Sequence, residues 1–367
     1  MNRTTVAAAL LCLLGAAPVA SAAEPAPSPY AGEQQRSIKA LSDKEVQDLL
    51  AGRGMGLAKS AELNRYPGPA TEIRSLLSQQ YGVAPEQLFF GNGSNDTIMQ
   101  LFLIFGGHGR TTLLFQPTYN LHGRFTIMAG GTLANEMIGL PYELTRERAL
   151  SAAERIEPDI VCFCTPNNPT GTLVADDVVL AVAERYPQTL VLVDEAYADI
   201  PARTLLPAQK DHPNLVISKT LSKVHAAAGL RFGILVLHSD LAESVRAIQV
   251  GFNVSVVSYA LAARIVRDQE SVRRRIALIR SERERVYAAM RKVDAIEPFP
   301  SEANFILFRI AGDTAAAQGR FLDQGVAIRD MAPWTGVEGC LRVSIGTPDE
   351  NDRFIAALAT VFAPAHA

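Results

Sequence analysis

The chain has 367 residues, of which 48% are hydrophobic and 20% charged. That is enough apolar surface to build a sizeable core, and it excludes disorder over most of the length. A net charge of −3 without a basic stripe gives no footprint for nucleic acid, and four cysteines, with Cys12 far from the rest, do not make a disulfide framework.

The chain opens with Arg3, an apolar stretch from Val6 to Val19 and the small-x-small triplet Ala20-Ser21-Ala22. This is the layout of a cleaved export signal, and Pro25, Pro27 and Pro29 follow too soon for a comfortable membrane span. Residues 1–23 are therefore expected to direct export to the periplasm or the medium, and 24–45 to form an N-terminal arm. A leader without function would leave the protein cytoplasmic. Ser42 caps an expected helix over Asp43 to Leu50, and Gly52-Arg53-Gly54-Met55-Gly56 reads as a loop. No later apolar run reaches spanning length.

From about residue 70 short apolar runs alternate with helical periods. Leu113–Phe115, Ile160–Phe163, Leu190–Val193, Leu215–Ile217 and Ile234–Leu237 read as buried strands. Asp96–Phe105, Ala175–Arg185 and Leu241–Gln249 read as helices between them. Such alternation predicts an α/β fold with an open, mainly parallel sheet covered on both faces. Beyond Gly251-Phe252-Asn253 the pattern changes. An arginine-rich helical stretch from Ser255 to about Val293, broken at most once, precedes strands at Asn304–Ile310, Val326–Ile328 and Leu341–Ser344. Helices are expected over Thr314–Gln324 and from Glu350. The expected division is a large domain over 46–252 and a smaller C-terminal domain with a mixed sheet over 253–367. Cys162 and Cys164 read as small buried strand residues, and no metal-ligand spacing is present.

In open parallel sheets the ligand sits beyond the carboxyl ends of the strands. The residues that follow the apolar runs are thus the informative ones: Gly91-Asn92-Gly93-Ser94-Asn95, Cys164-Thr165-Pro166-Asn167-Asn168-Pro169-Thr170-Gly171, Asp194-Glu195-Ala196-Tyr197 and Ser218-Lys219-Thr220-Leu221-Ser222-Lys223. The glycine turn opens a helix whose free N–H groups suit a phosphate, although its spacing is that of neither a P-loop nor a dinucleotide fingerprint. Asp194 ends an apolar strand, as a helix cap or as a group facing a ligand. Lys223 is hemmed by hydroxyls and followed by small apolar residues up to Arg231.

Taken together, Thr220-Leu221-Ser222-Lys223 with Ala228-Gly229-Leu230-Arg231, Pro166-Asn167-Asn168-Pro169-Thr170-Gly171 and Asp194-Glu195-Ala196-Tyr197 resemble pyridoxal-phosphate-dependent aminotransferases of classes I and II, within them the histidinol-phosphate aminotransferase branch. Asn64-Arg65-Tyr66-Pro67, Gln116-Pro117-Thr118-Tyr119, Gly251-Phe252-Asn253-Val254, Ser301-Glu302-Ala303-Asn304-Phe305 and Leu341-Arg342-Val343-Ser344-Ile345-Gly346-Thr347-Pro348 follow in the same order, over residues 62 to 362. The resemblance implies fold type I, with a mainly parallel seven-stranded sheet in the large domain and a smaller α+β domain.

It also implies roles. Lys223 would form the Schiff base with pyridoxal 5'-phosphate and then move the substrate α-proton. Asp194 would pair with the pyridine nitrogen. Tyr197 and Asn168 would hydrogen-bond the phenolic oxygen, and Tyr119 would stack on the ring. Ser94, Asn95, Thr220, Ser222 and Arg231 would hold the phosphate. Tyr66 would reach the phosphate of a neighbouring subunit, making a homodimer the active unit. Arg329 and Arg342 would receive the anionic end of the substrate. The implied reaction transfers an amino group from an amino acid or amino-alcohol phosphate to a 2-oxo acid. The same residues serve elimination, decarboxylation, racemisation or oxidation, and a non-catalytic descendant would retain the scaffold.

Some segments depart from the family. Gly52–Gly56 stands where relatives carry an Asn-Glu-Asn-Pro-type segment, and Val224-His225 follows the lysine where an Ala-Phe-type pair is more usual. His122 and His225 are near enough in sequence to meet substrate, but a lone histidine in such a stretch reads as structural. An exported enzyme would also act on an amine or amino acid other than a histidine precursor.

Overall fold

The computed structural model describes residues 66–68, 70–249 and 251–362. The expected export signal, the arm, the helix over Asp43 to Leu50 and the Gly52–Gly56 loop lie outside the described residues.

A seven-stranded sheet is built from β1 (Leu88–Asn92), β2 (Thr111–Gln116), β3 (Thr132–Met137), β4 (Ile160–Cys164), β5 (Leu190–Asp194), β6 (Leu215–Thr220) and β7 (Phe232–Val236), in the order β1-β7-β6-β5-β4-β2-β3. Only β7 runs against its neighbours; β2, β3, β4, β5 and β6 pair in parallel. The central strands read Ile-Val-Cys-Phe-Cys, Leu-Val-Leu-Val-Asp and Leu-Val-Ile-Ser-Lys-Thr, and every residue in them is buried.

Successive side chains serve opposite faces. Val161, Phe163, Val191, Val193 and Ile217 join one core, and Ile160, Cys162, Leu190, Leu192 and Val216 the other. Both faces are therefore apolar, which is why these strands read as uninterrupted runs rather than alternations. Truncating one such side chain, as in Leu192→Ala, costs about 2–5 kcal/mol.

The helices are α1 (Thr71–Tyr81), α2 (Ser94–Phe105), α3 (Asn120–Met128), α4 (Arg146–Ile156), α5 (Asp176–Arg185), α6 (Ser239–Ile248), α7 (Val256–Arg267), α8 (Gln269–Met290), α9 (Thr314–Asp323) and α10 (Pro348–Val361). In α5, Asp176 and Asp177 stand in the first turn and Arg185 in the last, each opposing the local helix dipole. The arginine-rich stretch is two helices. Asp268 interrupts it and accepts a hydrogen bond from the Ser271 amide at 3.1 Å, capping the second one.

Val254, Ala262, Ala263 and Val266 pack into the core of the large sheet, so the chain rejoins that core just beyond the expected boundary at 252 and 253.

The smaller sheet contains β8 (Ile296–Pro298), β9 (Phe305–Ile310), β10 (Arg329–Asp330) and β11 (Cys340–Ser344), in the order β10-β11-β9-β8. Its pairings are all antiparallel, correcting the expectation of a mixed sheet. Ile306, Phe308, Leu341 and Val343 pack on Met290 of α8, Phe321 of α9 and Phe354 and Leu358 of α10.

The strand expected at Val326–Ile328 is displaced to Arg329–Asp330. Gly325 turns the chain with φ 74°, and the Ile328 carbonyl accepts from Gln318 Nε2 at 2.8 Å instead of joining the ladder. Only Arg329 and Asp330 remain to pair with β11, with Arg329 directly opposite Arg342.

Candidate active site

The carboxyl ends of β4, β5 and β6, the start of α2 and the edge of the small sheet enclose a cleft of about 270 Å³. It is lined by Ser94, Asn95, Tyr119, Asn168, Asp194, Tyr197, Thr220, Ser222, Lys223, Arg231, Arg329 and Arg342. All the candidate residues except Tyr66 thus converge on one cleft. Tyr66 is 79% exposed, stacks on Phe252 with centroids 4.6 Å apart, and is not among the lining side chains.

One end of the cleft is shaped by close backbone approach. Gly93 has φ 89°, and a Cβ on it would fall 2.0 Å from an Arg231 terminal nitrogen. A Cβ on Gly233 would lie 2.2 Å from the Ser94 amide nitrogen. Here glycine is required for space as well as for conformation. The first turn of α2 has no side-chain cap; the Asp96 and Thr97 amides donate to the Gly93 carbonyl, while Ser94 and Asn95 line the cleft at the positive end of the helix dipole. Across from it, Thr220 Oγ1 donates to Ser222 Oγ at 2.9 Å and accepts from the Ser222 amide at 3.1 Å. Arg231, itself at φ 55°, is oriented by donating to the Ala228 carbonyl at 3.0 Å. Amides, hydroxyls and a guanidinium converging on one small volume form an anion cradle.

Asp194 closes β5 and is 4% exposed. Its Oδ1 accepts from the Ala196 amide at 3.1 Å, and His122 Nε2 lies 3.3 Å from its Oδ2. His122 is fully buried and stands edge-on to Tyr119, centroids 5.4 Å apart. Sequence reasoning left this histidine as structural. The available signal was its spacing, three residues beyond Tyr119 in the first turn of α3, which turns it back under the ring. Tyr119 in turn donates to Asn95 Oδ1 at 3.2 Å, and burial raises its phenol above the usual range.

Lys223 lies over the Tyr197 ring, Nζ 5.0 Å from the centroid. Burial pushes its ammonium below the ordinary lysine value, and the positive charge of Arg342 pushes the same way. Burial also raises the Tyr197 phenol. Arg342 donates to Asn168 Oδ1 at 2.5 Å and lies over Phe305 at 4.7 Å, while its buried Nε has no hydrogen-bond partner among the described residues. Its charged form is disfavoured mainly by burial, with Arg329 adding repulsion. Four cations, Lys223, Arg231, Arg329 and Arg342, thus line the cleft against one acid, Asp194. Such a balance favours a ligand carrying more than one negative group.

Cys164 and Trp334 also line the cleft. Cys164, beside Asp194 in the ladder, is buried, and burial raises its thiol well above the usual range. Trp334, in the turn between β10 and β11, joins the wall beside the two arginines. Among the described residues no group of acids, histidines and cysteines could hold a metal, and no helix is long and apolar enough to cross a membrane.

The sequence model of the family "Aminotransferase class I and II" matches residues 29–358. The chain is 38% identical over 318 residues to a histidinol-phosphate aminotransferase of Corynebacterium efficiens, covering 83% of this chain and 82% of the relative. It is 34% identical over 352 residues to the one of Thermobifida fusca, covering 91% and 92%. Among solved structures, the histidinol-phosphate aminotransferase of Sinorhizobium meliloti in complex with pyridoxal-5'-phosphate superposes with a TM-score of 0.74 at 21% identity, over 93% of this chain and 98% of that one. The L-threonine-O-3-phosphate decarboxylase of Porphyromonas gingivalis gives 0.72 at 23% identity, over 81% and 90%, and shares the fold. With a family match over most of its length and relatives above 30% identity, this chain belongs to the class I and II aminotransferases.

Proposed function

We propose that this aminotransferase works with pyridoxal 5'-phosphate and moves an amino group from an anionic donor, an amino acid or an amino-alcohol phosphate of the histidinol-phosphate type, to a 2-oxo acid. The carrying observation is the placement of Lys223 and Asp194 in one cleft with an anion cradle at its end. The cofactor's shape and charges fit these residues. A phosphate dianion suits the Ser94 and Asn95 amides, the Thr220 and Ser222 hydroxyls and Arg231, which come together because a Cβ on Gly93 or Gly233, absent here, would meet Arg231 or the Gly93–Ser94 backbone. When bound, pyridoxal phosphate supplies an aldehyde that condenses with a primary amine and a ring that withdraws electrons from the adjacent carbon.

The protein's own side chains do the rest. Lys223, its ammonium destabilised by burial and by Arg342, gives up its proton more readily than an ordinary lysine, and it would both bond the aldehyde and accept a proton from the substrate carbon. Asp194, held by the Ala196 amide and faced by His122, would pair with the ring nitrogen. Tyr197 and Asn168 would offer a hydroxyl and an amide to the ring oxygen, and Tyr119 would cover the ring. Arg342 presents its buried, unpartnered Nε to a substrate anion while Asn168 and Phe305 fix its plane. Arg329 adds charge from the facing position.

Purified protein loaded with pyridoxal phosphate is expected to absorb in the visible, and borohydride is expected to fix the label on Lys223. Lys223→Ala should remain colourless. A panel of amino acids and histidinol phosphate should convert the cofactor to its amine form. Wild type that never absorbs in the visible, or that releases carbon dioxide without forming the amine, would overturn the reading.

A homodimer in which Tyr66 serves the neighbouring site is part of the proposal, and it is supported by Tyr66 being 79% exposed and not lining its own cleft. Mixed dimers of Tyr66→Phe and Lys223→Ala subunits should recover activity at one of their two sites; failure to do so counts against crossing. Residues 1–23 are proposed to direct export, which N-terminal sequencing of the processed protein from fractionated cells would test.

A further inference from the structure

The small sheet contributes three side chains to the cleft wall: Arg329, Trp334 and Arg342. The arginines attend to charge. Trp334 is the apolar surface among the three, half-buried and backed by Tyr142, Phe299, Met331 and Val337. Its turn is held in place from both sides. The Trp334 amide donates to the Met331 carbonyl at 2.8 Å, and the Tyr142 hydroxyl donates to the Gly336 carbonyl at 3.2 Å. A Cβ on Gly336 would lie 3.3 Å from Pro117 Cδ, so the turn packs closely against the segment that leads to Tyr119. The indole is therefore a fixed wall rather than a side chain on a loose loop.

A partly wet indole lining the same cleft as two guanidinium groups can recognise a ligand in two parts, an anion for the arginines and a flat uncharged ring for the indole. We propose that Trp334 is a specificity-determining residue that selects amino donors carrying a planar ring, such as an imidazole or a benzene ring, over small aliphatic and dicarboxylic donors. This rests on the aminotransferase reading of the cleft and names the substrate class it serves. A methyl side group leaves the indole wet. A second carboxylate is drawn towards Arg329 but gains nothing from the indole face, so a dicarboxylate is the discriminating competitor.

Trp334 is the one tryptophan of the chain, so indole emission reports on this position alone. The holoprotein is titrated with 3-phenylpropanoate, glutarate and butanoate, none of which has an amino group to react, and binding is followed by emission and by calorimetry. The expected result is that 3-phenylpropanoate perturbs the emission and binds roughly tenfold tighter than the other two. Trp334→Ala should bring its affinity down to that of butanoate, and Trp334→Phe should keep most of the preference. If the alanine variant does not fold, Trp334→Leu, which retains bulk without an aromatic face, takes its place. Equal affinities in the wild type, or a ring preference that survives the loss of the aromatic face, overturns the assignment. Normal cofactor uptake without ring preference removes the Trp334 assignment alone, whereas failure of the wild type to take up cofactor removes the aminotransferase reading beneath it.

Discussion

His122 Nε2 stands 3.3 Å from Asp194 Oδ2, the imidazole fully buried and the carboxylate nearly so. The imidazole is the side-chain group facing that oxygen, and neither of its ring nitrogens makes a hydrogen bond among the described residues. Removing it leaves the carboxylate oriented by the Ala196 amide alone, in surroundings where a poorly supported charge costs roughly 1–3 kcal/mol. His122→Phe is thus expected to fold and bind cofactor but to turn over about tenfold or more slowly. Steady-state kinetics and the pH dependence of the bound cofactor's absorbance check this; an unchanged pH profile would show His122 to be packing only.

Lys223 gives a stability signature in the cofactor-free protein. Its folded-state value lies below the ordinary lysine value, first because of burial and then because of Arg342. Between the two values the unfolded chain holds the proton more tightly, so stability rises with pH across that window. Below it, the buried ammonium is a standing cost. Lys223→Met should therefore raise the melting temperature of the apoprotein at about pH 7, with the gap narrowing towards about pH 10. A gap that is independent of pH would contradict the shift.

Gly93→Ala tests the cradle directly. The new methyl carbon would need the space of the Arg231 guanidinium, at a backbone conformation that alanine resists. The expected loss is about 1–3 kcal/mol of stability, together with roughly tenfold or greater weakening of pyridoxal phosphate affinity as Arg231 is displaced. Equilibrium dialysis against the cofactor separates the second effect from the first.

Lys219, four positions before Lys223, has the opposite environment. It is buried, 2.8 Å from Glu195 and 3.6 Å from Asp199. Burial alone would lower its value, but the two carboxylates outweigh burial and raise it. Glu195 also accepts from Thr204 Oγ1 at 2.6 Å and the Leu205 amide at 2.7 Å. Lys219→Met would strand a buried carboxylate at a cost of about 3–5 kcal/mol, whereas the paired change Lys219→Met with Glu195→Gln should recover part of that loss. Chemical denaturation of the single and double variants measures it. Their unlike surroundings also make labelling specific, because the ammonium at 223 is easier to deprotonate than the paired one at 219.

The central strands were legible because both of their faces are buried, leaving unbroken apolar runs. Edge elements were harder to read. Strand β3, Thr-Leu-Ala-Asn-Glu-Met, is partly exposed at the sheet margin and carries little apolar pattern. Arg329–Asp330 pairs over two residues only, so the apolar triplet before it drew the strand assignment. Motif residues at strand ends found the cleft because the topology forces those ends together. His122 and Trp334 were harder to read because one reaches Asp194 and the other the cleft from an element whose position the sequence does not state, the first turn of α3 and the turn between β10 and β11. The steric demand behind Gly93 and Gly233 likewise appears only when β7 is laid against the start of α2.

The two-residue ladder between β10 and β11 places Arg329 opposite Arg342, and directly opposed residues point to the same side of a sheet. Slippage by a single position would turn one guanidinium to the reverse side and dismantle the paired positive charge without altering any residue. Charge selection at the mouth is thus written into strand alignment. Length changes in the chain between these strands are tolerable only if that alignment survives, while a deletion that shifts it by one would take one guanidinium out of the cleft in a protein whose composition is otherwise almost unchanged.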